Sequence, residues 1–242
     1  MYLTFKRENL HVNKTMVIKN VSSEIIALQR PKSLNKVVYE SLKESILTGK
    51  LMVGEVYSEL ELARKFGISR TPVREALLRL SAENLIVFHP RKGFSVNFFN
   101  KKDIENLYEL REAIEEVTIL KIANNLSNKQ IQTIQQLISE QKKCIKNNFN
   151  EDLFLEIDRR FHLLIIEATG NRFFVQTYNS IRDYMVISAK NGLRRKGRAL
   201  EVVQEHKAIL KALIQRNERM INKALKKHLL NSKLAAYDNA QP

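Results

Sequence analysis

Asp158 and His162 stand four positions apart in LEIDRRFHLLIIEATGN, a largely apolar run. On a helix this spacing puts both side chains on one face, where a carboxylate oxygen and an imidazole nitrogen can grip one ion. Two ligands do not make a site. Of the five histidines, however, two more fall in the last third of the chain, His206 in VVQEHKAIL and His228 in LKKHLL. Each sits in an amphipathic pattern that points it inward, among Val203, Ile209 and Leu210 or among Leu225, Leu229 and Leu230. One carboxylate and three imidazoles suit Zn²⁺, Ni²⁺, Mn²⁺ or Fe²⁺, and the ligand types alone do not choose among them. The other reading is three unrelated histidines satisfied by hydrogen bonds in a helical core.

A second set of residues points to a different chemistry. In SELELARKFGISRTPVREALLRLSAENL two amphipathic segments flank Gly67-Ile68-Ser69, which is a helix-turn-helix pattern. Gly67 suits the positive φ of a tight turn, and Ala63 allows two helices to approach. Ile68, Val73, Ala76, Leu77 and Leu80 are the expected core, Ser69 or Thr71 the cap, and Pro72 is tolerated in the first turn. Arg70 and Arg74 then project from one face near the N-terminus of the second helix, the end that enters a major groove. An arginine fork can bond guanine O6 and N7 together, and Thr71 suits a phosphate or base edge. Downstream, IVFH and FSVNFF are β-prone runs joined by Pro90-Arg91-Lys92-Gly93, a hairpin whose tip (Arg91, Lys92, Gly93) would reach the DNA backbone or the minor groove. Without those neighbours, Arg70 and Arg74 would be no more than solvating charges on a helix.

The elements that position these residues divide the chain. Residues 1–30 lack sustained periodicity and read as an N-terminal extension, within which Met16 is a candidate true start. A helix is expected over 34–48, with Leu34, Val37, Val38, Leu42, Ile46 and Leu47 as its stripe and Gly49 just past its end. KLMVGEVY reads as a connector. The helix-turn-helix and hairpin complete a winged helix over 31–100. From Lys101 the chain reads as all-α, with helices near 102–125, 128–147, 150–169, 171–191, 198–216 and 218–236, breaks at Gly170 and Gly192, and a tail over 237–242. The fold class is therefore mainly α, a winged helix-turn-helix followed by a helical bundle over 101–236. Tyr108, Phe161 and Tyr184 are expected in the core.

Composition narrows the setting. The net charge of +15 is spread along the chain, +3 over 1–30, +4 over 31–100 and +8 over 101–242, so charge alone argues only weakly for nucleic acid. Cys144 is the single cysteine, so no intrachain disulfide forms. No signal-peptide core and no apolar run of membrane-spanning length is present, and a soluble cytoplasmic protein with no membrane partner is expected.

The run GEVYSELELARKFGISRTPVREALLRLSAENLIVFHPRKGFSV resembles the winged-helix domain of GntR-type bacterial transcription regulators, most specifically in SRTPVREAL. By that resemblance Arg70 and Arg74 contact bases or phosphates, and Gly93 lies in the wing against DNA. Leu60 stands where members often have arginine, and Asn84 where they often have glycine. LYELREAIEEVTILKIA, DRRFHLLIIEATGN, EHKAIL and the late HL are similar to the FCD effector domain of the FadR subfamily, whose metal ligands map onto Asp158, His162, His206 and His228. The resemblance implies a divalent metal, zinc foremost, and a small organic-acid effector. Arg111 is a candidate partner for a second effector carboxylate, or else an intrahelical partner of Glu115. Asn171 is a helix-start residue or a pocket residue.

The function expected is a homodimeric, operator-binding regulator, a repressor, released from DNA by the effector. The alternatives are a metal-dependent enzyme fused to a DNA-binding module and a direct metal sensor. Against the enzyme, no extra Glu, His or Lys is recognisably placed as a general base, and EAIEE at 112–116 reads equally as helix surface. The complete ligand set also disfavours the acyl-CoA-binding branch.

Overall fold

A computed structural model describes residues 33–97, 99–146 and 148–238. The expected extension over 1–30 and the role of Met16 lie outside the described residues. The order of elements is α1 (Leu34–Leu47), β1 (Val56–Tyr57), α2 (Glu59–Phe66), α3 (Arg70–Ala82), β2 (Ile86–His89), β3 (Gly93–Val96), α4 (Lys101–Ile122), α5 (Asn128–Lys146), α6 (Glu151–Glu167), α7 (Arg172–Ser180), α8 (Arg182–Leu193), α9 (Arg198–Ile214) and α10 (Glu218–Asp238).

The first half is a winged helix. Ser58 caps α2, its side chain accepting from the Glu61 N–H, and Gly67 ends α2 at φ 65°, the left-handed conformation that admits glycine most readily. Ser69 takes the N-cap position of α3 without a side-chain cap bond, and Thr71 lies inside the helix. Val73, Ala76, Leu77 and Leu80 fill the core against Val38, Leu42, Ile46, Ile86 and Phe94. Full burial of a side chain such as Leu80 stabilises by about 1.5–3 kcal/mol. On α1, Leu34 and Val37 are exposed and Tyr39 takes their expected place inside. Tyr39 donates to Glu83, to which Lys43 also bonds, so its phenol brings its own polar partners.

The expected connector over 50–57 contains a strand. β1 pairs antiparallel with β3, giving a three-stranded sheet in the order β1-β3-β2. Two residues are too few to show alternation, which is why the pattern conceals it. In the β2–β3 hairpin, Ile86 pairs with Val96 and His89 with Gly93.

The second half is a helical bundle. α10 packs on α9, α4 and α8, while α5 packs on α6 and α9. The expected helix over 171–191 is two helices. Ile181, at φ −99° and ψ 5°, ends α7 and begins α8, and Ser180 donates to the Thr177 carbonyl in place of a helical bond. Gly192 sits in the last turn of α8, which ends one residue later at Leu193, so the helix does stop close to the expected break; a Cβ there would lie 3.5 Å from Ala235 of α10, an ordinary contact distance. The expected tail begins too early as well, because α10 continues to Asp238 and the Lys101 ammonium lies over the Tyr237 ring.

The two halves meet along α8. Asp183 pairs with Lys43 at 2.6 Å, Tyr184 donates to the Glu83 carbonyl at 2.6 Å, and Ile187 packs on the winged-helix core. Tyr108 and Phe161 are buried, but Tyr184 is half-buried at this joint and belongs to no single core.

Candidate functional site

Three helices bring the histidines together. Asp158 and His162 come from α6, His206 from α9 and His228 from α10. One ring nitrogen from each histidine lies within 4.8 Å of the others, and all three rings are buried. His228 Nε2 is 3.2 Å from His162 Nε2. Asp158 closes a fourth side, with Oδ1 3.5 Å from His206 Nε2 and Oδ2 3.8 Å from His162 Nε2.

The outer nitrogens explain why the inner ones converge. His162 Nδ1 meets Glu115 Oε2 at 2.6 Å, His206 Nδ1 meets Gln141 Oε1 at 2.9 Å, and His228 Nδ1 meets Glu205 Oε2 at 2.8 Å. Each acceptor favours a proton on Nδ1, leaving the Nε2 lone pair to face inward. His206 Nε2 is buried without a hydrogen-bond partner. Burial, reinforced by His228 and then His162, pulls the His206 pKa well below the usual imidazole value, and burial also lowers that of His228. Imidazole nitrogens aimed at one point beside a carboxylate are the donor set of a divalent cation, and an orphaned inward nitrogen is what such an ion would satisfy.

The carboxylates behind the rings are themselves compensated. Burial works to raise the Glu115 pKa, but the Arg111 guanidinium and His162 outweigh it and hold it at about 2. Glu205 is likewise held at about 2 against burial by His228 and Arg198. Arg198, almost fully buried, reaches both Glu205 oxygens at 2.8 Å and also donates to Ser232. Gln141 ties two ligand residues together, since its Nε2 lies 3.4 Å from Asp158 Oδ1.

The outer residues are less legible in the sequence than the histidines they anchor. Glu115, expected either as helix surface or as the intrahelical partner of Arg111, is buried and pairs with Arg111. A signal was available, because Glu115 shares its face with Arg111 and Thr118. Gln141 gave none, since its partners Asp158 and His206 lie on other helices, whereas Arg198 and Glu205 stand seven apart on α9 and only the His228 that Glu205 anchors is distant.

Two cavities of about 30 Å³ each flank Asp158, and Arg111 borders both. That is room for about one water molecule. Arg111 bonds Glu115 through Nε at 2.9 Å, so the intrahelical pair and a place beside the cavity occur together. Arg159 and Arg182 border the first cavity. Asn171 caps α7, its Oδ1 accepting from Phe173 N at 3.0 Å, and borders neither cavity.

At the other end, Arg70 and Arg74 stand exposed one turn apart on α3. Glu59, from the first turn of α2, reaches both guanidinium groups, at 3.6 and 3.5 Å. Thr71, Arg91 and Lys92 are exposed. Gly93 has a packing reason of its own. At φ 125°, a Cβ there would lie 2.1 Å from the Tyr57 carbonyl oxygen of β1.

A winged helix with exposed arginines at the start of its second motif helix, fused to a helical bundle around a buried histidine cluster, is the build of a DNA-binding transcription regulator. Residues 34–96 match the bacterial regulatory proteins of the gntR family, and residues 106–231 match the FCD domain. The chain belongs to the GntR-family regulators that carry an FCD domain. It is 25% identical over 203 residues to the uncharacterized HTH-type transcriptional regulator YdhC of Bacillus subtilis, covering 84% of this chain and 89% of that protein. It is 28% identical over 239 residues to the probable HTH-type transcriptional regulator LgoR of Escherichia coli, covering 92% of this chain and 79% of that one. Among solved structures, E. coli McbR/YncC shares the fold with a TM-score of 0.68 at 22% identity, over 85% of this chain and 98% of that chain. The family and these relatives are transcription regulators, which sets aside the enzyme reading. No helix among the described residues is long and apolar enough to cross a membrane.

Proposed function

We propose that the protein is a homodimeric, cytoplasmic repressor whose grip on its operator is controlled by a small carboxylate bound at a divalent metal, zinc foremost, with nickel, manganese or iron as the other candidates. The observation that carries this reading is the convergence of His162, His206 and His228, each with its outer nitrogen anchored, beside Asp158. Bound there, the ion supplies a Lewis-acidic anchor for a carboxylate oxygen. Arg111, held in place by Glu115, offers the charge-assisted partner for a second anionic group. Asn171 serves to cap α7 in this account rather than to bind effector.

The small volume beside Asp158 suggests how occupancy would be felt. A carboxylate larger than one water has to displace what borders the cavities, and α8 supplies Arg182, Met185, Val186 and Ala189 to that border. The opposite side of α8 carries Asp183, Tyr184 and Ile187 against the winged helix. An effector that moved α8 would therefore disturb the joint, and its leverage equals its preference for the disturbed arrangement.

Arg70, Arg74 and Thr71 read the major groove in this proposal, with Arg91, Lys92 and the Gly93 turn against the backbone or minor groove. Two readers are needed for a two-fold operator. An exposed stripe on α4, Leu110, Ala113 and Val117, offers apolar surface at the spacing on which a second α4 could pack.

The test combines elemental analysis with operator binding. Near one metal per chain in the native protein and much less in His162→Ala and His206→Ala are expected, together with carboxylate-dependent release of DNA that chelation abolishes. Equal metal in all three proteins, or release that persists after chelation, would overturn the reading. Release by added metal alone would mark a direct metal sensor instead.

A further inference from the structure

A second cavity, larger than those beside Asp158, lies in the joint between the two halves of the chain. Its volume is about 400 Å³, within the range of about 300–1,000 Å³ typical of small-molecule sites. The winged helix contributes Leu85 and Val96 to one wall, and α4 and α8 contribute Leu107 and Ile187 to the other. Phe99, on the segment between the halves, stacks on Tyr184 with ring centroids 5.6 Å apart and planes 26° apart, giving the cavity a flat aromatic border.

The polar residues around it are mostly asparagines. Asn84, Asn97 and Asn106 border the cavity, and the single bordering carboxylate is Asp103. One Asp103 oxygen already accepts from the Asn100 N–H in the capping box of α4. No lysine, arginine or histidine is among the described residues that border it. An anion would meet a carboxylate and no compensating cation, so the carboxylate chemistry expected beside Arg111 does not suit this space.

We infer that the joint cavity is a second ligand site, for a neutral, flat and mainly apolar small molecule with a hydrogen-bonding edge for the asparagine amides. Aromatic planes favour a stacked ring, the aliphatic walls favour its hydrocarbon bulk, and the amides both donate and accept. Both halves line the space, so the ligand binds best when they are juxtaposed as described and favours that arrangement by its differential affinity. This site is independent of the metal, and a failure of the metal reading leaves it standing.

The probe for the test is N-phenyl-1-naphthylamine, a neutral aromatic amine whose fluorescence rises in apolar surroundings, titrated into the full-length protein. Saturable enhancement with one probe per chain is expected, unchanged by chelator and by excess malonate. Ile181→Trp, which places an indole at the border of the cavity, is expected to weaken binding by about tenfold or more, a difference of about 1.4 kcal/mol. In case that variant does not fold, the milder Ile181→Cys puts a thiol at the border of the cavity in a chain whose only native cysteine, Cys144, is buried. Saturating probe should then slow alkylation of the introduced thiol by about tenfold, again a difference of about 1.4 kcal/mol. Non-saturable enhancement, displacement by malonate, full binding in folded Ile181→Trp, or an unprotected thiol would each overturn the assignment.

Discussion

Arginine–carboxylate pairs occur at both ends of the molecule, and they do opposite work. Arg70 and Arg74 face solvent and meet Glu59 only at 3.5–3.6 Å, whereas Arg111 meets Glu115 at 2.9 Å with both side chains almost wholly buried. Only the arginines of the first pair face solvent, Glu59 being mostly buried, and at this long range their heads are screened and free to turn, on the proposed reading, to a phosphate or a base edge. A buried pair cannot exchange without leaving an uncompensated charge, so it fixes geometry. On the proposed reading, the surface that meets DNA is thereby adaptable and salt-sensitive, while the histidine cluster is held in one arrangement. Burial, rather than residue type, makes the difference.

The strongest way to break this comparison is to remove Glu115. Glu115→Ala leaves Arg111 buried without its partner and His162 without its anchor, and a loss of about 3–5 kcal/mol in denaturant unfolding is expected. Glu115→Gln keeps an acceptor but loses the charge, and should weaken metal affinity by about 10–100-fold in a competition titration. A loss below 1 kcal/mol in the alanine variant would show that the buried pair fixes nothing.

Chelation comes next in size. An ion present at about 100 times its Kd stabilises by about 2.7 kcal/mol, so its removal should lower the melting midpoint by several degrees. The exposed arginines should be indifferent to this, since neither touches the cluster. An unchanged melt would count against a bound ion.

For Arg74→Ala the expected loss is about 1–3 kcal/mol of operator affinity, read by fluorescence anisotropy at fixed salt. Stability should change by no more than about 0.5 kcal/mol, because the side chain is exposed. Affinity within twofold of the native protein, or a large fall in stability, would erase the contrast with Glu115.

The smallest effect is predicted at the joint. Lys43 pairs with Glu83 at 2.8 Å and Asp183 at 2.6 Å from a half-buried position, and Lys43→Met should destabilise by about 1 kcal/mol. Its sharper signature is a reduced effect of carboxylate on operator affinity. Full retention of that coupling would remove α8 from the proposed route.

Most of the architecture was legible in the residues because it depends on local periodicity and turn chemistry. Gly67, Val73 and Leu77 define the helix-turn-helix by spacing, and Asp158 with His162 mark one helical face. What escaped depends on contacts distant in sequence or on helix ends without their usual markers. The break at Ile181 carries neither glycine nor proline, and β1 is only two residues long. The anchors behind the histidines follow the same logic. Gln141 lies 65 residues from His206 and Glu205 lies 23 from His228, and no sequence pattern links such pairs.

The wing carries a practical constraint for anyone wishing to redirect this regulator to a new promoter. A mutagenesis library can vary Lys92 freely, since its side chain projects into solvent, but Arg91, equally exposed, has its backbone at φ 63°, which β-branched residues and proline resist. Gly93 has to be held constant, because even one methyl there runs into the Tyr57 carbonyl and would pry β3 from β1. Clones altered at Gly93 would then drop out of a selection for want of an intact sheet, and their absence would carry no information about which bases the wing prefers.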